Sequence, residues 1–387
     1  MAKRIGFLVS HPIQYYAPIF RELARRCDLT VFFAHRQTPE QQARAGFGVA
    51  FDWDVDLLSG YDSRFLVNVA RHPSTGRFAG CNTPDIAEEM ARGRFDAFVV
   101  PGWALRCYWQ AVQACRRLGV AVLVRGDSQL GSQRSAAVRL AKNLAFPRLL
   151  RRFDGYLYVG ERNREYLQHY GAPADRLFFS PHCVDNAAFA AASADARRTA
   201  AATPRRAARR VLFVGKLIAR KRPVDLLQGA ARISGSDVEV VFAGSGELQG
   251  MLEKIAAEAG VRASFLGFVN QSQLPAVYAS ADALVLPSDA QETWGLVVNE
   301  AMACGIPAVV SDAVGCGPDL VEPGVTGDVF PLGDAAALAV AVQRTLSLDR
   351  ELTRRHLAAR MARYSPEQAA AAIVDATTTL AAGGRLQ

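Results

Sequence analysis

The feature that most constrains this chain is a rhythm in which short apolar runs alternate with amphipathic helical patterns, and which occurs twice. "RIGFLVS" (4–10), "LTVFFAH" (29–35), "FDAFVVPG" (95–102), "VAVLVRGD" (120–127) and "FDGYLYVG" (153–160) are apolar on consecutive residues. A strand covered on both faces needs that composition, and the intervening segments, such as "LRCYWQAVQACRRLG", carry the spacing of crossover helices. The rhythm breaks at 191–210, "AASADARRTAAATPRRAARR", and then restarts with "RVLFVGKL", "VEVVFAGSG", "RASFLGFV", "ALVLPS" and "PAVVSD". The expected class is α/β, with two doubly wound Rossmann-like domains facing across a cleft. The boundaries read as 1–190, a linker region 191–210, a second domain 211–362 and a terminal helix 363–387 expected to pack back toward the first domain. Ser365, Pro366 and Gln368 mark that helix's start as N-cap, first position and capping-box residue.

Composition fits this reading: half of the 387 residues are hydrophobic, enough to bury two cores. The net charge of +8 favours phosphates, anionic lipid or nucleic acid without choosing among them. Seven scattered cysteines without a close metal-type pair read as reduced buried thiols. No signal-peptide pattern opens the sequence and no apolar run is long enough to span a bilayer, so a cytoplasmic protein is expected, free to touch a membrane surface.

Chemistry concentrates in "PSDAQETWGLVVNEAMACGIPAVVSDAVG" (287–315). A strand ends at Pro287, and a helix is expected from about Trp294 or Gly295 to a stop at Gly305. Glu292 then lies in the loop at the strand's carboxyl end, and the amides of Gly295, Leu296 and Val297 offer partial positive charge to a phosphate. Glu300 falls among apolar neighbours on the helix, where a carboxylate needs a specific polar partner. Two acids at a fixed spacing can also be a helix start plus a surface glutamate. In "VLFVGKLIARKRP", Lys216 and Lys221 follow a strand and a Gly turn, placed to neutralise a diphosphate or to form a solvated basic turn. Gly244 in "FAGSGE" is a third strand-end glycine that would admit a ligand closely.

Other features read more simply. Asp52, Asp54 and Asp56 of "DWDVD" alternate as on a solvated strand edge, and metal ligation is the lesser reading. His182 is read as a structural hydrogen-bonder near the hinge. The stretch 134–157 sets Arg134, Arg139, Lys142, Arg148, Arg151 and Arg152 among apolar residues, either as a crossover helix or as an element lying on anionic lipid, with Pro147 expected to split it into two helices.

With these residues in view, the second half resembles the retaining glycosyltransferases of family 4, whose fold is called GT-B. "VGKLIARK", "AGSG", "LGFVNQSQLPAVYASADALVLPS" and "ETWGLVVNEAMACGIPAVV" follow that family's motifs in order and spacing across nearly all of 211–345. The first half, with "SHPIQYYAP", "FDWDVDLLSGYDSRFL" and "SPHCVD", looks like a bacterial subgroup.

The resemblance implies a nucleotide-diphosphate-sugar donor, a glycan or lipid-linked acceptor, and a part in bacterial surface polysaccharide or lipopolysaccharide assembly. It implies that Glu292 holds donor-sugar hydroxyls, that Glu300 binds the ribose, and that Lys216 and Lys221 form the diphosphate pair. It also implies that the acceptor proton passes to the leaving phosphate. Arg125 and Asp127 stand where the family often has a sugar-binding histidine, so they and His11 are candidate sugar or acceptor contacts. No metal or other cofactor and no nucleic acid is expected; weak contact with the inner face of the cytoplasmic membrane is. A nucleotide-sugar epimerase of similar architecture, or a non-catalytic transferase-like subunit, stands as the alternative. A nicotinamide dehydrogenase is disfavoured because "LVSHPIQ" lacks a Gly-rich turn.

Overall fold

A computed structural model describes residues 2–43, 48–131, 136–200, 208–233 and 238–383. The first half builds a parallel sheet from β1 (Arg4–Val9), β2 (Asp28–Phe33), β3 (Asp62–Phe65), β4 (Ala97–Val100), β5 (Ala121–Gly126), β6 (Gly155–Tyr158) and β7 (Leu177–Phe179), in the order β3-β2-β1-β4-β5-β6-β7. The second half builds another from β8 (Arg209–Val214), β9 (Val238–Ala243), β10 (Ala263–Phe265), β11 (Ala283–Leu286), β12 (Ala308–Ser311) and β13 (Gly327–Phe330), in the order β10-β9-β8-β11-β12-β13. Strand order reverses between β1 and β4 and between β8 and β11. Each reversal opens a crevice at the carboxyl edge of its sheet, where open α/β sheets bind ligands.

The consecutive apolar residues have the reason the pattern implied. Phe7 packs on one face of the first sheet and Leu8 on the other, in separate cores. Phe213 and Leu212 divide the faces of the second sheet in the same way. All seven cysteines are buried free thiols.

Three expectations are corrected. Residues 186–200, two thirds of which fall in the stretch read as linker, form the helix Asn186–Ala200. Phe189 joins the core of the second domain, and Arg197 donates to the Cys304 carbonyl at 3.0 Å, so the chain has already crossed over before that stretch. Residues 201–207 of the same stretch lie outside the described residues. "DWDVD" is not a strand but a loop, clamped across the cleft by Asn270 Nδ2 donating to the Asp52 carbonyl at 2.8 Å and by the Ser272 amide donating to Asp54 at 3.0 Å. Pro147 does not split its helix, which runs Ala136–Leu150; it stands in the last turn, where a missing amide costs one bond and the buried Leu150 still anchors the end. Arg134 lies outside the described residues.

The terminal helix Pro366–Gly383 starts at Ser365, whose Oγ accepts from the Gln368 amide at 3.3 Å. Its Ala369, Ile373 and Ala376 pack with Phe7 and Phe20 in a core of the first domain, so the chain ends on the domain where it began. Among the described residues no helix is long and apolar enough to cross a membrane.

Candidate active site

The cleft holds a cavity of about 540 Å³ between the carboxyl edges of the two sheets. From the second domain, its wall includes Lys221, Glu292, the segment Thr293–Val297 and Glu300; from the first, Gln14, Tyr15, Asp127 and His182. The helix Leu296–Ala303 begins at Gly295, which holds φ +105° where a Cβ would meet Leu286 at 2.7 Å, so only glycine turns the chain tightly enough to aim the helix N-terminus inward. No side chain caps that N-terminus, which leaves its first amides available to an anion.

Glu292 is fixed by its backbone: its amide donates to the Asp289 carbonyl at 2.9 Å, and its own carbonyl accepts from Gly315 at 3.0 Å and from Gln129 Nε2 at 3.2 Å. Its carboxylate is ion-paired with the Lys221 ammonium, both side chains being nearly enclosed. Glu300 is buried at 7% exposure, and its Oε2 accepts from the Tyr278 hydroxyl at 2.7 Å. Burial pushes its carboxyl up to about 7, against hydrogen bonds from Tyr278 and Gln271 that favour the charged form.

Lys216 lines an adjoining cavity of about 240 Å³ together with Arg220, Lys221, Gly244 and Glu300. Burial and the like charges of Arg220 and Lys221 depress its pKa, so this corner favours an anion. Gly244 borders the same space, but its glycine is required by the protein itself: at φ +145° a Cβ would sit 1.9 Å from the Gly215 carbonyl oxygen.

The first-domain candidates divide. Asp127 reaches the main cavity and accepts from Thr293 Oγ1 at 2.6 Å; burial raises its pKa, but the His182 ring, 3.9 Å away, and the Thr293 hydroxyl outweigh that and hold it at about 2. Arg125 is fully buried and does not line the main cavity, donating to the carbonyls of Ser180 at 3.3 Å and Pro181 at 2.7 Å, so it ties β5 to the chain leaving β7. His11 lines a neighbouring cavity rather than the main one, and burial and His35 depress its pKa to about 4. Asp56 is taken up by its own turn, accepting from Leu58 and Ser59 amides, and is held at about 2 chiefly by Ser59. Among the described residues no group of three or more His, Cys, Asp or Glu is placed to hold a metal ion.

Sequence reasoning missed His182 as a cavity residue. It packs between Tyr15, at a ring separation of 6.0 Å, and Trp294, at 5.6 Å. Its position three residues past β7, in "SPHCVD", was the available signal, since the segments leaving the carboxyl ends of the strands border the cleft.

Residues 200–368 match the family model described as glycosyl transferases group 1. A D-inositol 3-phosphate glycosyltransferase of Geodermatophilus obscurus is 35% identical over 240 residues, 58% of this chain and 52% of that protein. An uncharacterised glycosyltransferase of Methanocaldococcus jannaschii is 39% identical over 141 residues, 35% of each. This chain thus spans about a third to a half of the length of the curated relatives it matches. Among solved structures, Anabaena HepE in complex with UDP and glucose superimposes with a TM-score of 0.69 at 18% identity, over 98% of this chain and 100% of that one. The chain has the GT-B fold, two Rossmann-like parallel-sheet domains facing across a cleft.

Proposed function

We propose that the protein is a retaining glycosyltransferase of family 4, passing a sugar from a nucleotide-diphosphate sugar to a glycan or lipid-linked acceptor. The observation that carries this reading is the convergence of Glu292, Lys221, Glu300 and an uncapped helix N-terminus on one cavity at both sheets' carboxyl edges. The family match over the donor half, the curated relatives' names and the UDP and glucose in the HepE structure support it.

In this reading Glu300 accepts from the ribose diol, Glu292 holds donor-sugar hydroxyls, and Lys216, Lys221 and the helix N-terminus hold the diphosphate. The bond from the anomeric carbon to the diphosphate oxygen breaks, its electron pair leaving with the nucleoside diphosphate. The acceptor oxygen bonds to the same face of that carbon, and its proton passes to a leaving phosphate oxygen. Rate comes from positioning and from charge stabilisation at the leaving group; no metal has a part. A panel of nucleotide sugars tests this by thermal unfolding, where a donor at 100 times its Kd adds about 2.7 kcal/mol. Stabilisation by one of them, with transfer that persists in chelator, is expected. No stabilisation by any, or activity abolished by chelator and restored by manganese, would overturn the reading.

The setting we propose is glycan assembly for the bacterial surface, with weak attachment to the inner face of the cytoplasmic membrane. On the helix Ala136–Leu150, Leu140 and Leu144 are 64% and 63% exposed, and Arg139, Arg148, Arg151 and Arg152 are exposed around them. Apolar side chains at the acyl boundary with cations near headgroups suit an anionic surface, at about 1 kcal/mol per cation. Co-sedimentation with vesicles should require anionic lipid and fall when Arg148, Arg151 and Arg152 become Gln. Equal recovery in the supernatant with neutral and anionic vesicles at low salt would remove the membrane from the reading.

A further inference from the structure

The first domain holds further cavities that the donor chemistry leaves unused. Val55, Asp56 and Leu57 wall the main cavity and also bound one of about 350 Å³ that takes in His11, Arg36 and Trp53. That cavity shares Gln37 with a third, of about 590 Å³, beyond the carboxyl ends of β2 and β3. A path of shared walls therefore leads from the donor site along the edge of the first sheet.

The far end of this path carries two guanidiniums. Arg71 and Arg77 line the third cavity together with His35 and His72, and no carboxylate does. Arg71, His72 and Arg77 are exposed on the loop 71–77, without an ion pair among the described residues, whereas nearby Arg64 is matched by Asp62 and Glu89. Where the two outer cavities meet, the half-buried Gln37 lines both. A solvated basic loop would account for two exposed arginines, but not for their lining a cavity that holds no carboxylate and adjoins, through shared walls, the cavities leading back to the donor site. The Gln37 side chain, half-buried between the two cavities, offers an amide to a polar group lying across them.

We infer that the loop 71–77 binds an anionic group of the acceptor, a phosphate or a carboxylate, through Arg71 and Arg77. Guanidinium forks take such groups bidentately, and the Gln37 amide lies beside the sugar that bears the group. The acceptor is thus an anionic saccharide, extended enough to place a different hydroxyl in the main cavity. This rests on the transferase reading.

The test uses the full chain saturated with UDP, so that the donor-side lysines are occupied. Titration calorimetry follows glucose 6-phosphate, glucuronate and glucose, and a polyprenyl phosphate in neutral detergent micelles serves as the lipid-borne source of the same anion. Binding of an anionic probe but not of glucose is expected, weakened by salt, and reduced roughly 100-fold in Arg71→Gln/Arg77→Gln. Which probe binds tells a soluble acceptor from a lipid-linked one. UDP affinity should be unchanged in the double variant, which confirms its fold. Anion binding equal in the variant and the unmodified chain, or no anion binding at all, overturns this inference and leaves the transferase reading standing. Failure of UDP and of every nucleotide sugar to bind removes both.

Discussion

Glu292→Ala is expected to lower transfer by on the order of 100-fold or more while the fold survives, because a donor hydroxyl is left unpaired in an enclosed site. The loop does not depend on the carboxylate: Asp289, Gly315 and Gln129 hold the backbone of Glu292 on both sides. Lys221→Ala should differ. It removes a cation from the corner shared with Lys216 and Arg220 and also strands the Glu292 carboxylate, whose side chain is 13% exposed. Transfer should fall to a similar extent, and stability by about 1–3 kcal/mol as well, since an enclosed charge loses its partner. The double variant separates the two effects. Stability should recover once neither charge is present, whereas the losses in turnover should not add if, as proposed, both residues serve one bound donor. The measurements are kcat, KM and thermal unfolding on the four proteins. Near-normal turnover in Glu292→Ala would sink the assignment, and full additivity in both readouts would mean that the ion pair and the donor site are unrelated.

The interior strands were legible because a parallel strand buried on both faces must be apolar at every position, as in "AFVV" of β4. The strands that escaped were β3, β7 and β13. β3 is an edge strand reading Asp-Ser-Arg-Phe, half exposed and close to a loop in composition; β7 and β13 are short edge strands with neighbours on one side only. Glu300 announced itself as a charge among apolar residues. Its partner Tyr278 did not, since it comes from the helix Leu274–Ala279 and the pairing exists only once the two helices pack. Arg125 and Asp127 look equivalent at a strand end, yet one is swallowed by carbonyls of the chain leaving β7 and the other meets Thr293 across the cleft. Nothing local distinguishes them, because the difference is made by partners 55 and 166 residues away. Domain contact is similarly silent in the sequence. Gly160 is glycine because a Cβ there would lie 2.2 Å from the Trp294 ring of the other domain.

Glu300→Ala is expected to weaken nucleotide binding by roughly 100-fold, since the ribose diol loses a buried charged acceptor. The pH dependence of the unmodified chain tests the role more sharply. Burial raises this carboxyl from 4.5 to about 7, so near neutrality the empty protein is a mixture of acid and carboxylate. A diol donating two hydrogen bonds needs the carboxylate. Affinity should therefore be full above about pH 8 and decline as the pH falls through 7, approaching about tenfold per pH unit below it. In Glu300→Gln it should be low and flat over the same range. Stability of the free protein runs the other way. Between 4.5 and 7 the folded state holds a proton that the unfolded chain has released, so stability drops as the pH rises through that interval. Glu300→Gln cannot ionise; it should match the unmodified chain below pH 4.5 and exceed it in thermal stability above pH 7. One substitution thus trades ligand affinity for stability, as expected of a carboxylate held in an apolar helix for binding. Nucleotide affinity that stays constant from pH 6 to 8, or that strengthens as the pH falls, would mean that Glu300 acts as a neutral acid or not at all, and the ribose would have to be held elsewhere.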